Sequence, residues 1–226
     1  MNIVSDFKFE LNKNKIITSV QSYCETPPFK TLSEMYDNLL PLVREYSKPM
    51  GIFKLDKKTE DLNLDLLENC KFILYCAVTL GKSSSEKIDD LFNQGKFFEA
   101  ILFDSMTSSY LFDVSSQLFR EICEKAHDIG LGLTRKIAPG DGEIGLEYQK
   151  EIVNKLQCKN VLNLSISNGC LLSPSKSMSY VYGADESLIL NQQKDHSCDT
   201  CFNTTCSMRN TSESNEDSCI KKIGCA

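Results

Sequence analysis

The sequence predicts an α+β fold in which helices pack on a mostly antiparallel sheet. The strongest observation is the run at residues 72–78, which is apolar at consecutive positions, as a strand buried on both faces requires. Residues 177–182 alternate in polarity, with Met178, Tyr180 and Tyr182 on one side, and predict a second strand. Helical stripes separate these segments without the regular strand–helix alternation of a parallel α/β sheet.

The remaining elements follow from local patterns in chain order. Alternation at residues 7–11 predicts a half-buried strand, and a polar turn follows at 12–15. Thr31 and Glu34 have the spacing of a capping box, and Pro41 should kink or interrupt the helix that follows. Further predictions are a strand at 51–55, a helix capped within 83–85 and stopped by Gly95, and helices at 97–106, 111–129 and 146–156. A strand at 161–167 is predicted to pair with 177–182.

Size and charge limit the function. The chain has 226 residues, 41% hydrophobic and 25% charged, which are ordinary values for a globular protein. Its net charge of -6 with no basic run argues against nucleic acid as a partner. The apolar runs are too short to cross a bilayer, and no basic segment followed by an apolar one opens the sequence. We therefore expect a cytoplasmic protein with no membrane partner.

The composition changes after Leu190. Asn, Gln, Ser, Thr and Asp replace the apolar periodicity of the preceding sequence. Such a segment cannot fold by burial of apolar surface alone. The pattern predicts two parts, a folded domain at residues 1–190 and a small Cys-rich tail at residues 191–226.

The cysteines divide in the same way. Six of the eleven are scattered through residues 24–170, mostly in apolar segments, and are interpreted as small buried hydrophobes. The others crowd into the tail, where Cys198 and Cys201 form a C-x2-C pair. Thiolates at this spacing can bind zinc or an iron–sulfur cluster, and we favour the cluster. Redox-active or idle thiols in a flexible tail are the alternative. The predicted ligands are Cys198, Cys201, Cys206 and Cys219, with His196 or Cys225 as alternatives for the fourth position.

A Gly-rich loop is the candidate binding element of the larger part. Arg135 and Lys136 lead into Pro139 and Gly140, and two further glycines follow by residue 145. Such a loop can offer backbone groups to a small polar ligand, with a basic side chain beside it for a carboxylate or phosphate. A plain surface connection between a strand and a helix is the alternative, because Gly and Pro mark turns in general.

Three stretches together resemble the activation (reactivation) domain of cobalamin-dependent methionine synthase, and more closely its free-standing bacterial relatives. The resemblance covers roughly residues 30–190, with the stretches in the same order and at similar spacing. The stretches are Lys136-Ile-Ala-Pro-Gly140, Leu146-Glu-Tyr-Gln149, and Ser173-Pro-Ser-Lys-Ser-Met-Ser179 followed by Tyr182.

The resemblance implies a single domain with a curved antiparallel sheet that binds S-adenosylmethionine. The implied binding residues are Ala138 and Gly140 through the loop backbone, and Tyr182 against the ligand. Lys136 stands where the family has an arginine, with Arg135 one residue earlier. A lysine cannot grip a carboxylate with the two-pronged geometry of arginine.

The resemblance also implies a role. The domain would present S-adenosylmethionine to the oxidised cobalamin of a partner, either a methionine synthase that lacks its own activation domain or another corrinoid methyltransferase. One electron from a flavodoxin-like or ferredoxin-like donor completes the remethylation, so the chain would be an accessory component rather than an independent catalyst. Two alternatives stand beside this hypothesis: a metal or iron–sulfur redox accessory protein that does not bind S-adenosylmethionine, and an enzyme with a substrate of its own.

Overall fold

The computed structural model describes residues 1–58, 67–140, 144–188 and 195. Its strands are β1 (Asn2–Val4), β2 (Met50–Lys57), β3 (Phe72–Thr79), β4 (Gly132–Leu133), β5 (Ser165–Ile166), β6 (Leu172–Ser173) and β7 (Ser177–Asp185). Its helices are α1 (Lys13–Tyr23), α2 (Phe29–Tyr46), α3 (Lys82–Asn93), α4 (Phe97–Asp128), α5 (Gln149–Lys155) and α6 (Cys158–Val161).

The predicted α+β architecture is confirmed. Within the described ranges, β1, β2, β3, β7 and β4 form a curved five-stranded sheet in that order, and every neighbouring pair is antiparallel. The buried strand predicted from its apolar run is β3, which lies between β2 and β7. The alternating segment predicted as a strand is β7. No helix in the described part of the chain is long and apolar enough to cross a membrane.

Side chains on the two faces of the sheet enter different cores. Leu74, Tyr180 and Tyr182 point to the face covered by the second half of α4. Tyr75 and Val181 point to the opposite face, where α5 and the residues after it pack. This separation follows from the period of two along each strand. A third core joins α1, α2 and α3 to the first half of α4.

Helix α4 corrects the prediction of two helices at 97–106 and 111–129. It runs for 32 residues without a break. The sequence between its ends contains neither glycine nor proline. Thr107, in the expected gap, donates its hydroxyl to the helix's own carbonyl of Phe103 at 2.9 Å, so it does not end the helix. The helix therefore spans two cores.

Residues 7–11 form no strand, contrary to the prediction. Phe7, Phe9 and Leu11 are partly buried against the core, so the alternation of their side chains is real. The backbone of Lys8 bonds instead to the side chain of Gln117 on α4, at 2.9 Å from its N–H and 2.8 Å to its carbonyl. A helix side chain takes the place of a neighbouring strand.

Two other expectations about the first half of the chain are wrong in detail. Helix α1 begins where a polar turn was expected, and Asn12 caps it by accepting a hydrogen bond from the Lys15 N–H at 3.0 Å. Helix α2 begins at Phe29, so Thr31 lies inside it and forms no capping box. Pro41 also lies inside α2, which continues to Tyr46.

The predicted strand at 161–167 is mostly wrong. The chain forms α6 up to Val161, and only the two residues of β5 are strand. Strand β5 pairs with β6, not with β7. Strand β7 pairs instead with β3 along one edge and, near its end, with β4 along the other. The helix predicted at 146–156 begins as a 3-10 turn at Leu146–Tyr148 and continues as α5.

Candidate functional site

The first part of the Gly-rich loop is fixed along the edge of the sheet. The N–H of Thr134 donates to the carbonyl of Gly183 at 2.9 Å, and the Gly183 N–H returns a bond to the Thr134 hydroxyl at 2.9 Å. Ile137 and Val181 exchange both backbone hydrogen bonds, at 3.0 and 2.9 Å. The loop therefore extends the pairing of β4 with β7, and the backbone on either side of Lys136 is held in place.

This backbone directs Lys136 inwards. Ile137 enters the core beneath α5, whereas Ala138 packs against the core beneath α4. The Lys136 side chain reaches the core beneath α4, where its ammonium lies 4.4 Å from the centroid of the Tyr180 ring. The ring face is an attractive position for a cation that has lost water.

The Lys136 ammonium has two further partners. Its Nζ donates to Oγ of Ser115 at 2.7 Å and to Oδ2 of Asp195 at 2.8 Å. The side chains of Lys136 and Asp195 are only 9% and 6% exposed. A charge at this depth is tolerated because it is both paired and hydrogen-bonded.

Asp195 makes contacts at three points. Its Oδ2 accepts from the Lys136 ammonium, and its Oδ1 accepts a short hydrogen bond from the hydroxyl of Tyr182. Its backbone carbonyl accepts from the Lys136 N–H at 3.0 Å. One carboxylate thus joins the basic residue of the loop to the tyrosine of β7.

Two tyrosines in contact lie beside this cluster. The rings of Tyr180 and Tyr182 meet edge to face at 5.7 Å, and Phe119 of α4 lies 5.4 Å from Tyr182. Burial, and the nearby Asp195 charge, raise the pKa of both tyrosines well above the ordinary value. A phenol is already protonated at neutral pH, and the raised pKa extends this to more alkaline pH, so the Tyr182 hydroxyl remains a donor to a carboxylate.

The second part of the loop turns at Gly140. Its N–H donates to the carbonyl of Ile144 at 2.9 Å, and its φ is +91°, a conformation that favours glycine. Gly140 is exposed, whereas Ala138 is half-buried. The prediction that these two residues offer backbone contacts to a ligand stays a prediction. The intervening residues 141–143 lie outside the described part of the chain.

Arg135 is the neighbouring basic residue of the loop. Lys136 supplies the ammonium that meets Asp195. Arg135 is half-buried, and its carbonyl accepts from the hydroxyl of Thr134 at 2.9 Å. The two adjacent basic residues therefore have different environments, which their order in the sequence does not reveal.

The other two stretches that carry the resemblance anchor the surroundings. Gln149 is buried at the start of α5 and donates to the carbonyl of Cys170 at 3.0 Å. Lys176, with a side chain 10% exposed, donates to Ser108 at 2.7 Å and pairs with Asp104 at 2.8 Å. Both hold loops in place, through partners other than Lys136 and Asp195.

Sequence reasoning missed Ser115 and Asp195. Ser115 had a detectable signal, because it lies three and four residues before Leu118 and Phe119, on the apolar stripe of α4. A serine in such a stripe needs a polar partner, and it has two: it accepts from Lys136 and donates to the Tyr180 hydroxyl at 3.1 Å. Asp195 had no such signal, because it lies in the segment predicted to be a polar tail.

The predicted metal ligands are not tested. Cys198, Cys201, Cys206 and Cys219 lie outside the described residues, as do His196 and Cys225. Among the residues that are described, no group of three metal-binding side chains occurs. Of the six cysteines predicted to be buried hydrophobes, four are buried and two are half-buried: Cys70, Cys76, Cys123 and Cys158, then Cys24 and Cys170.

Comparison with known proteins gives a structural match but no sequence match. No family model and no curated protein matches the chain. Among solved structures, the chain is similar to the MetH reactivation domain bound to AdoHcy, with a TM-score of 0.58 and 10% sequence identity. The match covers 88% of this chain and 82% of that one. The chain thus has the fold of that reactivation domain over most of its length.

Proposed function

We propose that this chain is an S-adenosylmethionine-binding reactivation module that supports the reductive remethylation of a corrinoid methyltransferase. One observation carries the proposal: the ammonium of Lys136 and the hydroxyl of Tyr182, from two of the stretches that resemble the family, meet on a single carboxylate. S-Adenosylmethionine ends in an amino-acid carboxylate that needs such donors. The match to a reactivation domain bound to AdoHcy supports the same reading.

The roles of the residues follow from the chemistry of that ligand. Lys136 provides the charge for the carboxylate, and the Tyr182 hydroxyl adds a neutral donor, whose pKa is raised further by burial. Ser115 and the Tyr180 ring position the ammonium. Ala138 and Gly140 would offer backbone groups to the rest of the ligand, and Arg135 a second positive charge beside the loop.

In this function the chain binds and orients the methyl donor, and the cobalamin belongs to the partner. The partner would be a methionine synthase that lacks its own activation domain, or a related corrinoid methyltransferase. Bound cobalamin would receive the methyl group, with one electron from a flavodoxin-like or ferredoxin-like donor. Residues 1–190 would bind the methyl donor, and residues 191–226 would bind the metal.

Calorimetric titration tests the binding step. The ligands are S-adenosylmethionine and methylthioadenosine, which lacks the amino-acid carboxylate. We expect Tyr182→Phe and Lys136→Met each to weaken S-adenosylmethionine binding by about tenfold or more, since a hydrogen bond to a charged group contributes roughly 1.5–3 kcal/mol. Neither substitution should change the affinity for methylthioadenosine by more than about twofold.

A matched control separates the site from general effects of charge. Lys13 forms an ion pair with Asp37 at 2.7 Å at the protein surface, so Lys13→Met removes the same charge outside the buried site. That variant should bind both ligands like the unchanged protein. Absence of saturable binding at millimolar S-adenosylmethionine would refute the proposal, as would an equal loss of both ligands in Lys136→Met.

We propose further that Cys198, Cys201, Cys206 and Cys219 hold an iron–sulfur cluster or zinc. The C-x2-C spacing supports this, because two thiolates so placed can reach one metal ion. Anaerobically purified protein should contain iron and acid-labile sulfide, or zinc, in stoichiometric amounts. Cys201→Ser should lose the metal, whereas Cys170→Ser should keep it. Metal-free protein after anaerobic preparation would contradict the assignment.

A further inference from the structure

We propose that Asp195 is an internal competitor for the carboxylate of the ligand. It occupies the position at Lys136 and Tyr182 that the amino-acid carboxylate would take, so such a ligand binds only when Asp195 withdraws. This inference rests on the proposed function and adds a form of control that is built into the chain itself.

The contacts of Asp195 are those that the ligand would need. Its carboxylate accepts hydrogen bonds from the Lys136 ammonium and the Tyr182 hydroxyl, and its backbone carbonyl accepts one from the N–H of Lys136. With the side chains of Lys136 and Asp195 only 9% and 6% exposed, a second carboxylate cannot reach the ammonium while Asp195 stays. The two carboxylates would also repel each other at this depth, where water screens charge poorly.

The backbone contacts of the two residues differ in a way that allows exchange. Lys136 is held on both sides by the backbone bonds of Thr134 and Ile137 to β7. Asp195 lies outside the helices and strands of the described ranges. Of the two partners in the ion pair, Asp195 is therefore the one that can leave without breaking the sheet.

Exchange of one carboxylate for another avoids the main energetic cost of opening this site. Removing Asp195 alone would leave the Lys136 ammonium buried with only Ser115 and the Tyr180 ring as partners. A buried charge without its counter-ion is strongly destabilising. An incoming carboxylate restores the pair, whereas a neutral ligand does not. The site should therefore select ligands that carry a carboxylate.

The test compares the full chain with Asp195→Asn, which keeps the shape of the side chain and removes its charge. We expect Asp195→Asn to bind S-adenosylmethionine and S-adenosylhomocysteine at least about tenfold more tightly, because binding no longer requires displacement of the competing carboxylate. Affinity for methylthioadenosine, which has no carboxylate, should change less than about twofold. Asp37→Asn, the same charge change at the exposed pair with Lys13, should leave all three affinities unchanged.

A second measurement uses the unchanged protein and does not depend on the folding of a variant. Trypsin can cleave after Lys194, next to Asp195. If the ligand displaces Asp195, saturating S-adenosylhomocysteine should accelerate cleavage at Lys194 several-fold, and methylthioadenosine should not. Cleavage at the exposed Lys159 on α6 provides the internal control.

The outcomes separate this inference from the proposed function. If both proteins bind S-adenosylmethionine with equal affinity, the competition is refuted and the proposed function stands. Weaker binding by Asp195→Asn also refutes it, and indicates instead that Asp195 holds the site together. Absence of binding in both proteins refutes the proposed function and the competition together.

Discussion

Replacing Lys136 with methionine and Asp195 with asparagine, singly and together, measures how strongly the buried ion pair stabilises the fold. Breaking a buried pair by removing one partner typically costs about 3–5 kcal/mol. We expect Lys136→Met to lie near 3 kcal/mol, roughly the lower end of that range, because Asp195 can carry its charge into water. Asp195→Asn should lie near the upper end, since the backbone on both sides of Lys136 is bonded to β7.

The double variant gives the coupling between the two residues. With the partners 2.8 Å apart and both side chains less than a tenth exposed, we expect a coupling energy of about 2 kcal/mol. The measurement is the free energy of unfolding from denaturant titrations of all four proteins at one pH and ionic strength. Raising the salt concentration should change this coupling little, because buried pairs are poorly screened.

Lys13 and Asp37 supply a matched cycle at the protein surface. Their atoms are 2.7 Å apart, but the side chains are 30% and 62% exposed. An exposed pair of this kind contributes about 0.5 kcal/mol or less, and salt weakens it. The two cycles share residue types and nearly the same distance, and they differ in burial and in the hydrogen bonds with Ser115 and Tyr182 that accompany the buried pair.

Equal coupling energies in the two cycles would refute the reasoning. Such a result would mean that the Lys136 ammonium and the Asp195 carboxylate are not both buried in solution. A value below about 0.5 kcal/mol for Lys136 and Asp195 would have the same consequence.

Three further predictions concern the fold. Gly183→Ala should destabilise the protein by about 1–3 kcal/mol in a denaturant titration, because its new Cβ would lie 2.5 Å from Sγ of Cys70. Gly169→Ala should be neutral in the same titration, because its new Cβ would meet nothing within 4 Å. Burial raises the pKa of Cys158 from 9.0 to about 12, so the folded state keeps this thiol protonated. The contribution of the thiol to stability is therefore lost as the pH rises from about 9 towards 12. Over that range, the free energy of unfolding should fall less steeply in Cys158→Ala than in the unchanged protein. Asn12→Ala should cost about 1 kcal/mol by removing the cap of α1, seen as a lower midpoint of thermal unfolding.

Each of these predictions has a clear contrary result. A neutral Gly183→Ala would mean that β7 and the loop before β3 do not approach as closely as described. Parallel pH profiles for Cys158→Ala and the unchanged protein would mean that this thiol is not buried in solution. An unchanged melting midpoint in Asn12→Ala would show that the cap at Asn12 does not stabilise α1.

Local hydrophobic patterns predicted the secondary structure correctly where the buried side chains of an element follow a regular period along the sequence. The apolar run of β3 and the alternation of β7 identified the two strands that carry the sheet, with Tyr180 and Tyr182 correctly placed on one face. The same reasoning failed at residues 7–11, where an alternating pattern is half-buried against the core but has no strand beside it. Alternation reports which side chains are buried, and it cannot report which group satisfies the backbone.

The candidate site was predicted only in part. Lys136 and Tyr182 came from the resemblance, and the structure brings them to one carboxylate. Ser115 and Asp195 were not predicted as site residues, because they lie 21 and 59 residues from their partner Lys136 along the chain. A serine or an aspartate carries no local mark of the residue that it will pair with.

The sequence by itself determined the α+β class, the principal strands, most helical segments and the change in composition after Leu190. It could do so because periodic burial and turn chemistry act between residues close in the chain. Tertiary structure alone decided the continuous course of α4, the position of β7 between β3 and β4, and the choice of Asp195 as the counter-ion of Lys136. These depend on which surfaces meet when the chain folds, because a buried charge must be paired with whatever opposite charge the fold brings within reach.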